Sequence, residues 1–227
     1  MDPLCEKYYS VSPYAYCHNN PVNRIDPDGR DDYYSVGGQF LFRDSKKTDR
    51  IIIRDLVSYS TKQQGWEFGP NPDTPIEQTV LSAEAYSKIF TNILSEMKDV
   101  DIYLLHNQSV SVVVSPNDYD IESTFNDPYS AFSSEGVVNA ATQHLNGVKK
   151  ITACINYLGA SDNRKLFATL SNVQNLLGVH EYIGHGVKGW SGSNHKLVYK
   201  NQFKHPSWKR TTGYFKRQEL SNYQKVK

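Results

Sequence analysis

The sequence predicts an α+β fold: a turn-rich opening segment, then strands with one helix, then a C-terminal helical part. Three observations predict it. Strand-like apolar runs recur in residues 39–55, 100–116 and 149–159. Apolar residues return at helical spacing in 81–99 and again in 162–186. Residues 1–31 differ in texture, being rich in Pro, Asn, Asp and Tyr. We therefore divide the chain into residues 1–31 and a main body, residues 32–227.

The elements follow in order. "NNPVN" and "DPDG" in the opening segment are turn sequences, in which Pro presets one dihedral and Gly accepts a positive φ. "QFLFRDSKKTDRIIIRD" (39–55) has strand-like runs at both ends and a polar middle, which reads as a β-hairpin. Residues 56–78 read as irregular, with "GPNPDTP" as a loop. In 81–99, Tyr86, Ile89, Phe90, Ile93, Leu94 and Met97 share one helical face behind a Ser82 N-cap. Residues 100–107 and 109–116 read as strands joined by a tight connection, and 149–159 as a further strand; 135–146 is ambiguous. The longest predicted helix spans 162–186, with Leu166, Leu170, Val173 and Leu177 on one stripe. Two helices follow, 195–203 after Asn194 and 206–223 with Pro206 at its first position.

Composition narrows the function. Of 227 residues, 38% are hydrophobic and 22% charged, which suits a globular chain over a disordered one. No apolar run approaches the ~20 residues that span a bilayer. No basic stretch followed by an apolar one opens the segment, so it carries no signal peptide of its own. Cys5, Cys17 and Cys154 lack the spacing of a disulfide framework, and Cys154 in "ITACINYL" reads as a buried free thiol. Charge is uneven: residues 186–227 carry ten Lys or Arg and one acid, a net +9, against a net −8 for the rest. That tail is either a basic helical region packed on an acidic body or a surface for nucleic acid, anionic lipid or an acidic partner.

The chemistry concentrates in "HEYIGH", residues 180–185. It is one residue longer than the zinc-peptidase pattern H-E-x-x-H. At 100° per residue, His180 and His185 stand about 140° apart on an α-helix, too far to share one ion. The extra residue has to be absorbed by a π-type segment, for which Gly184 is the natural place. After His185 the remaining ligand types are His195, His205 and Glu219. His195, opening a helix after the turn "GWSGSN", is the first choice for a third ligand and His205 the second. His18, His106 and His144 read as structural.

Two resemblances add expectations. "DPLCEKYYSVSPYAYCHNNPVNRIDPDG", residues 2–29, resembles the end of an Rhs repeat-associated core of the Bacteroides type. That resemblance implies a boundary near Gly29–Asp32, a much longer parent protein, and a variable C-terminal domain, often a toxin used between bacteria. It implies delivery into a neighbouring cell as part of a larger secreted protein, and a cognate immunity protein. Arg30 stands where many members carry Leu at a point of self-cleavage. "HEYIGH" is similar to the H-E-x-x-G-H motif of dipeptidyl peptidase III, over six residues only. By that resemblance His180 and His185 bind Zn²⁺, Glu181 is the general base, and the substrate is a protein or peptide. The family's downstream E-E-C-R-A-E ligand motif is missing here. Tyr182, Tyr199 and Tyr214 are candidate oxyanion stabilisers. The expected function is thus a zinc-dependent peptide hydrolase on an Rhs tail. The alternatives are a metal-dependent nuclease toxin, or a non-enzymatic module with zinc closed by His180, His185, His195 and His205.

Overall fold

The structure, a computed structural model, describes residues 30–60, 65–68, 73–100, 110–116, 139–145 and 148–226. The turn-rich opening segment lies outside them. The fold mixes helices with small sheets, as the periodicities predict. A four-stranded sheet has the order β2-β1-β3-β6, from β1 (Asp32–Ser35), β2 (Phe40–Arg43), β3 (Ile51–Arg54) and β6 (Thr74–Pro75). The intervening β4 (Leu56–Ser60) and β5 (Gly65–Phe68) pair antiparallel as a two-stranded sheet. A three-stranded sheet, β7-β9-β8, joins β7 (Ser111–Ser115), β8 (Ala140–Leu145) and β9 (Val148–Asn156).

Two predicted features of the first half are corrected. The 39–55 segment is not a hairpin, because β1 lies between β2 and β3, antiparallel to the first and parallel to the second. The reason is burial. Asp32, Tyr33, Tyr34 and Ser35 are all buried, so β1 cannot sit at an edge, and Ile51–Ile53 are buried on both faces beside it. The described residues of 56–78 are not irregular, since they hold β4, β5, β6 and a short 3₁₀ turn at Ile76–Gln78; residues 69–72 of the predicted loop lie outside them.

Burying β1 puts an acid in the core. Asp32 is 0% exposed, and the Arg43 guanidinium binds its carboxylate through Nε and Nη2. The same Nη2 reaches Glu96 at 2.7 Å and 3.0 Å, fastening the sheet to the end of the first helix. That helix, α1 (Ala83–Ser95), is capped as predicted: Ser82 Oγ accepts the Ala85 N–H at 3.1 Å. Its buried residues are Ala85, Tyr86, Ile89, Phe90, Ile93 and Leu94, with Met97 buried just beyond its end.

The remaining strands frame the second half. Residues 101–109, which hold most of the first predicted strand and the tight connection, lie outside the described residues. Within the ambiguous stretch 135–146, residues 140–145 form β8, whose Leu145 pairs with Val148 of β9, and 135–138 and 146 lie outside the described residues. Cys154 on β9 is free and 0% exposed, as expected, and burial pushes its thiol well up.

The predicted 162–186 helix is three pieces. A 3₁₀ turn spans Arg164–Phe167; α2 (Leu170–Val173) is capped by Thr169, whose Oγ1 accepts the Asn172 N–H at 3.1 Å. From Gln174 to Val187 the helix is π. Leu170–Val173 and Asn175–Tyr182 are buried without a break, the mark of a helix surrounded by protein on all sides. It lies against β8 and β9 and carries α3 (His195–Lys204) on its other flank. Asn194 precedes α3 without a side-chain cap bond. The last predicted helix is also divided, into α4 (Pro206–Arg210) and α5 (Gly213–Lys225), because Thr212 Oγ1 accepts the Phe215 N–H and starts a new helix. One apolar core joins Tyr34 and Ile51 of the first sheet, α1, Ile151 and Ile155 of the last sheet, Leu177 of the π-helix and Phe215 of α5.

Arg43→Ala takes the guanidinium away from the buried Asp32 carboxylate. The expected loss is about 3–5 kcal/mol, read as a lower urea midpoint. Asp32→Asn with Arg43→Met removes both charges and should lose less.

Candidate metal centre

Three histidines converge. One ligand atom from each of His180, His185 and His195 lies within 4.8 Å of the others, the one such group of His, Cys, Asp and Glu among the described residues. The π-helix brings the first two together. Its hydrogen bonds run from residue i to i+5, so side chains five apart stack on one face. The His180 and His185 ring centroids are 5.1 Å apart, and the Ile183 carbonyl accepts the Lys188 N–H at 2.9 Å in that register.

Gly184 acts differently from its predicted part. It takes up no backbone strain, because its φ is not among the positive ones. It is a contact surface instead: a Cβ there would meet Val198 Cγ1 at 2.6 Å. Val198 is a stiff, fully buried residue of α3, three positions after His195 and one before Tyr199. The missing side chain lets α3 approach closely enough to deliver His195.

Each first ring has its inner nitrogen occupied. Beyond the π-helix the chain turns back through Gly189, at φ +65°, and the Gly184 carbonyl accepts the Trp190 N–H at 3.1 Å. The Trp190 carbonyl then lies 2.6 Å from His185 Nδ1. A carbonyl only accepts, so Nδ1 carries the proton and Nε2 keeps its lone pair. His180 Nδ1 is 2.9 Å from Gln202 Oε1, and Gln202 Nε2 donates to Glu219 Oε2 at 2.8 Å. His180 Nε2 points the other way, 3.3 Å from His195 Nε2. Two nitrogens on a tetrahedral zinc, each ~2.0–2.1 Å from it, stand roughly 3.3–3.4 Å apart. The His180–His195 pair matches that spacing, and the three imidazoles lie close enough together to bind a metal ion.

Glu181 leaves the helix beside His180 and is 4% exposed. Thr142 of strand β8 donates its Oγ1 proton to Glu181 Oε2 at 2.8 Å. Burial raises the Glu181 carboxyl to about 8, opposed by the Thr142 bond, with the Glu219 charge adding to the rise. Burial likewise raises Glu219 to about 7, opposed by its bonds from Gln202 and Asn222. Burial lowers His180 to about 3 and His195 to about 4, with His185 nearby adding to both. A metal held by these rings favours the neutral imidazoles and the charged carboxylates alike.

The other candidates separate. Tyr199 is at the centre, its ring 4.7 Å from His180 and 5.1 Å from His195. Tyr182 belongs to the apolar core, and Tyr214 lies under Lys165 at 5.9 Å. His205 stands apart. It caps α4 by accepting the Ser207 N–H at 3.2 Å, and its Nε2 is 3.6 Å from Asp99. It stands outside the group of three histidines. His18 and His106 lie outside the described residues, as does the side chain of His144. The sequence reading missed Gln202, Thr142 and the Trp190 carbonyl. None carries a charge or a motif, so only their placement reveals them.

Comparison with known protein families, characterised proteins and solved structures finds no match to the chain.

Zinc should raise the unfolding temperature of the wild type and of His205→Ala, but not of His195→Ala, because metal binding adds to folding. The metal-free chain should also show a stability optimum between pH 4.5 and 6.5. His180 and His195 fold at about 3 and about 4 against 6.5 unfolded, so their contribution is complete above 6.5 and falls as the pH drops. Glu181 and Glu219 fold at about 8 and about 7 against 4.5, so theirs is complete below 4.5 and falls as the pH rises. Urea midpoints against pH, with and without zinc, check this; zinc should move the optimum upward.

Proposed function

We propose that residues 32–227 form a zinc-dependent peptide hydrolase, the C-terminal effector domain of an Rhs protein whose end is residues 1–31. The observation that carries the enzymatic part is the shared face of His180 and His185 on a π-helix, with His195 in reach and Glu181 alongside. The family resemblances of residues 2–29 and 180–185 supply the biological setting. A cognate immunity protein, the parent shell and delivery into a neighbouring cell belong to that setting.

Zinc at such a site supplies Lewis acidity to a carbonyl and generates a nucleophile from water near neutral pH. The chain's own residues do the rest. His180, His185 and His195 hold the ion through neutral nitrogens. Glu181 Oε1 or Oε2 takes a proton from water and returns it to the leaving amine. Thr142 holds that carboxylate in place by donating to Oε2. Tyr199, whose phenol is kept protonated by burial and by Glu219 and Glu181 nearby, is the tyrosine available to donate to a developing oxyanion.

The structural-zinc alternative needs His205 as a fourth ligand; the Ser207 N–H on its Nδ1 and Asp99 at 3.6 Å from its Nε2 favour the three-histidine reading. The nuclease alternative draws on the tail, where Lys196, Lys200, Lys204, Lys209, Arg217 and Lys225 are exposed.

Glu181→Gln keeps the size of the side chain and removes the base. The full chain with this change should retain zinc and lose peptide hydrolysis by ~10²-fold or more. Expressed without an immunity factor, the wild type should harm its host and the variant should not. Cleavage of nucleic acid by the wild type, with proteins untouched, would move the assignment to a nuclease.

A further inference from the structure

Behind the three histidines lies a second layer that no motif announces. Gln202 is 0% exposed and Glu219 2%, and the two are joined by the 2.8 Å bond from Gln202 Nε2 to Glu219 Oε2. The Asn175 side chain donates to the Gln202 backbone carbonyl at 3.2 Å and to Ser207 Oγ at 2.9 Å, so the helix bearing the amide is fastened to the π-helix. Glu219 itself comes from α5, the last helix of the chain, with Asn222 Nδ2 3.4 Å from its other oxygen.

We infer that Glu219 and Gln202 are positioning residues that fix the protonated nitrogen of His180, and so aim its free lone pair at the metal. This rests on the zinc reading above. The argument is one of direction. An amide has one end that donates and one that accepts. When ionised, the form that the bonds from Gln202 and Asn222 favour, Glu219 only accepts, so it draws the NH₂ end of Gln202 towards itself. The carbonyl end of Gln202 is then left facing His180 Nδ1, which lies 2.9 Å away and has to be the donor. With its proton on Nδ1, His180 presents an unprotonated Nε2 to His195 Nε2. Metal-bound histidines generally have their second nitrogen held by a carboxylate or carbonyl. Here the carboxylate acts one residue removed, and Gln202 passes on its polarity. His185 obtains the same setting from the Trp190 carbonyl, which cannot be reversed. Of these two arms, that of His180 depends on a side chain that can turn over.

The test compares three full-length chains: wild type, Glu219→Gln, and Gln202→Glu combined with Glu219→Gln. The single variant removes the obligate acceptor, so either orientation of Gln202 becomes satisfiable. The double variant puts a carboxylate directly against His180 Nδ1 and an amide behind it, restoring the direction of both bonds. Zinc affinity by chelator competition should fall about 10–100-fold in Glu219→Gln, the usual scale for losing such support, and should return in the double variant. In the metal-free proteins, ¹⁵N shifts of labelled histidine should report the Nδ1–H tautomer for His180 in the wild type and the double variant, and a mixture in the single variant. Unchanged affinity and tautomer in Glu219→Gln would overturn the inference. So would a loss of affinity that the double variant fails to recover and that follows the metal-free unfolding midpoint. A wild type that binds no zinc sinks the hydrolase reading, while the tautomer measurement still decides the relay.

Discussion

Two histidines five residues apart share a face only where backbone hydrogen bonds run from residue i to i+5. That constraint governs the second half of this molecule. A π segment is rare and usually a single turn, and here it extends over Gln174–Val187. A helix of poorer intrinsic stability has to be held by its surroundings. It is: β8 and β9 pack on one flank, α3 on another, and its residues from Leu176 to Val179 belong to the common core or abut it. β8, β9, α1, α2, α3 and α4 thus cradle one unusual helix, and the face it presents carries His180 and His185.

The polar chemistry follows the same logic of enforced direction. Two carbonyl acceptors, one of the backbone at Trp190 and one of the Gln202 side chain, stand behind His185 and His180. Both acids of the region, Glu181 and Glu219, are buried, which disfavours their charge, and Glu219 Oε2 is 4.0 Å from His180 Nδ1. A cation would relieve that cost. The first half of the molecule solves a comparable problem without a metal, since Arg43 supplies the positive charge that buried Asp32 needs.

Much of this was legible in the sequence, and the exceptions have physical causes. The Ser82 cap, the α1 face and the His180, His185, His195 trio depend on local spacing, which a sequence states directly. The pairing of β1 between β2 and β3 does not, because "DYYS" has no alternation to mark it and its place is set by burial on both faces. Helix 206–223 read as continuous because Thr211 and Thr212 do not forbid a helix; the break comes from Thr212 finding the Phe215 N–H. Gln202 was invisible because an amide on a helix has no spacing rule, and Glu219 reads as a possible ligand until its distance behind Gln202 is known.

The length of the π segment has a consequence for how such a motif can arise or be lost. Deleting Tyr182 or Ile183 would leave two histidines four apart, the spacing an ordinary α-helix accepts. It would not yield an ordinary site. Every side chain beyond the deletion would turn by about 100° relative to those before it. Gly184 would swing away from Val198, and a bulkier side chain would come to face α3 in its place. The five-residue and four-residue spacings are therefore separate packing solutions, and a single-codon deletion between them leads through a molecule that fits neither.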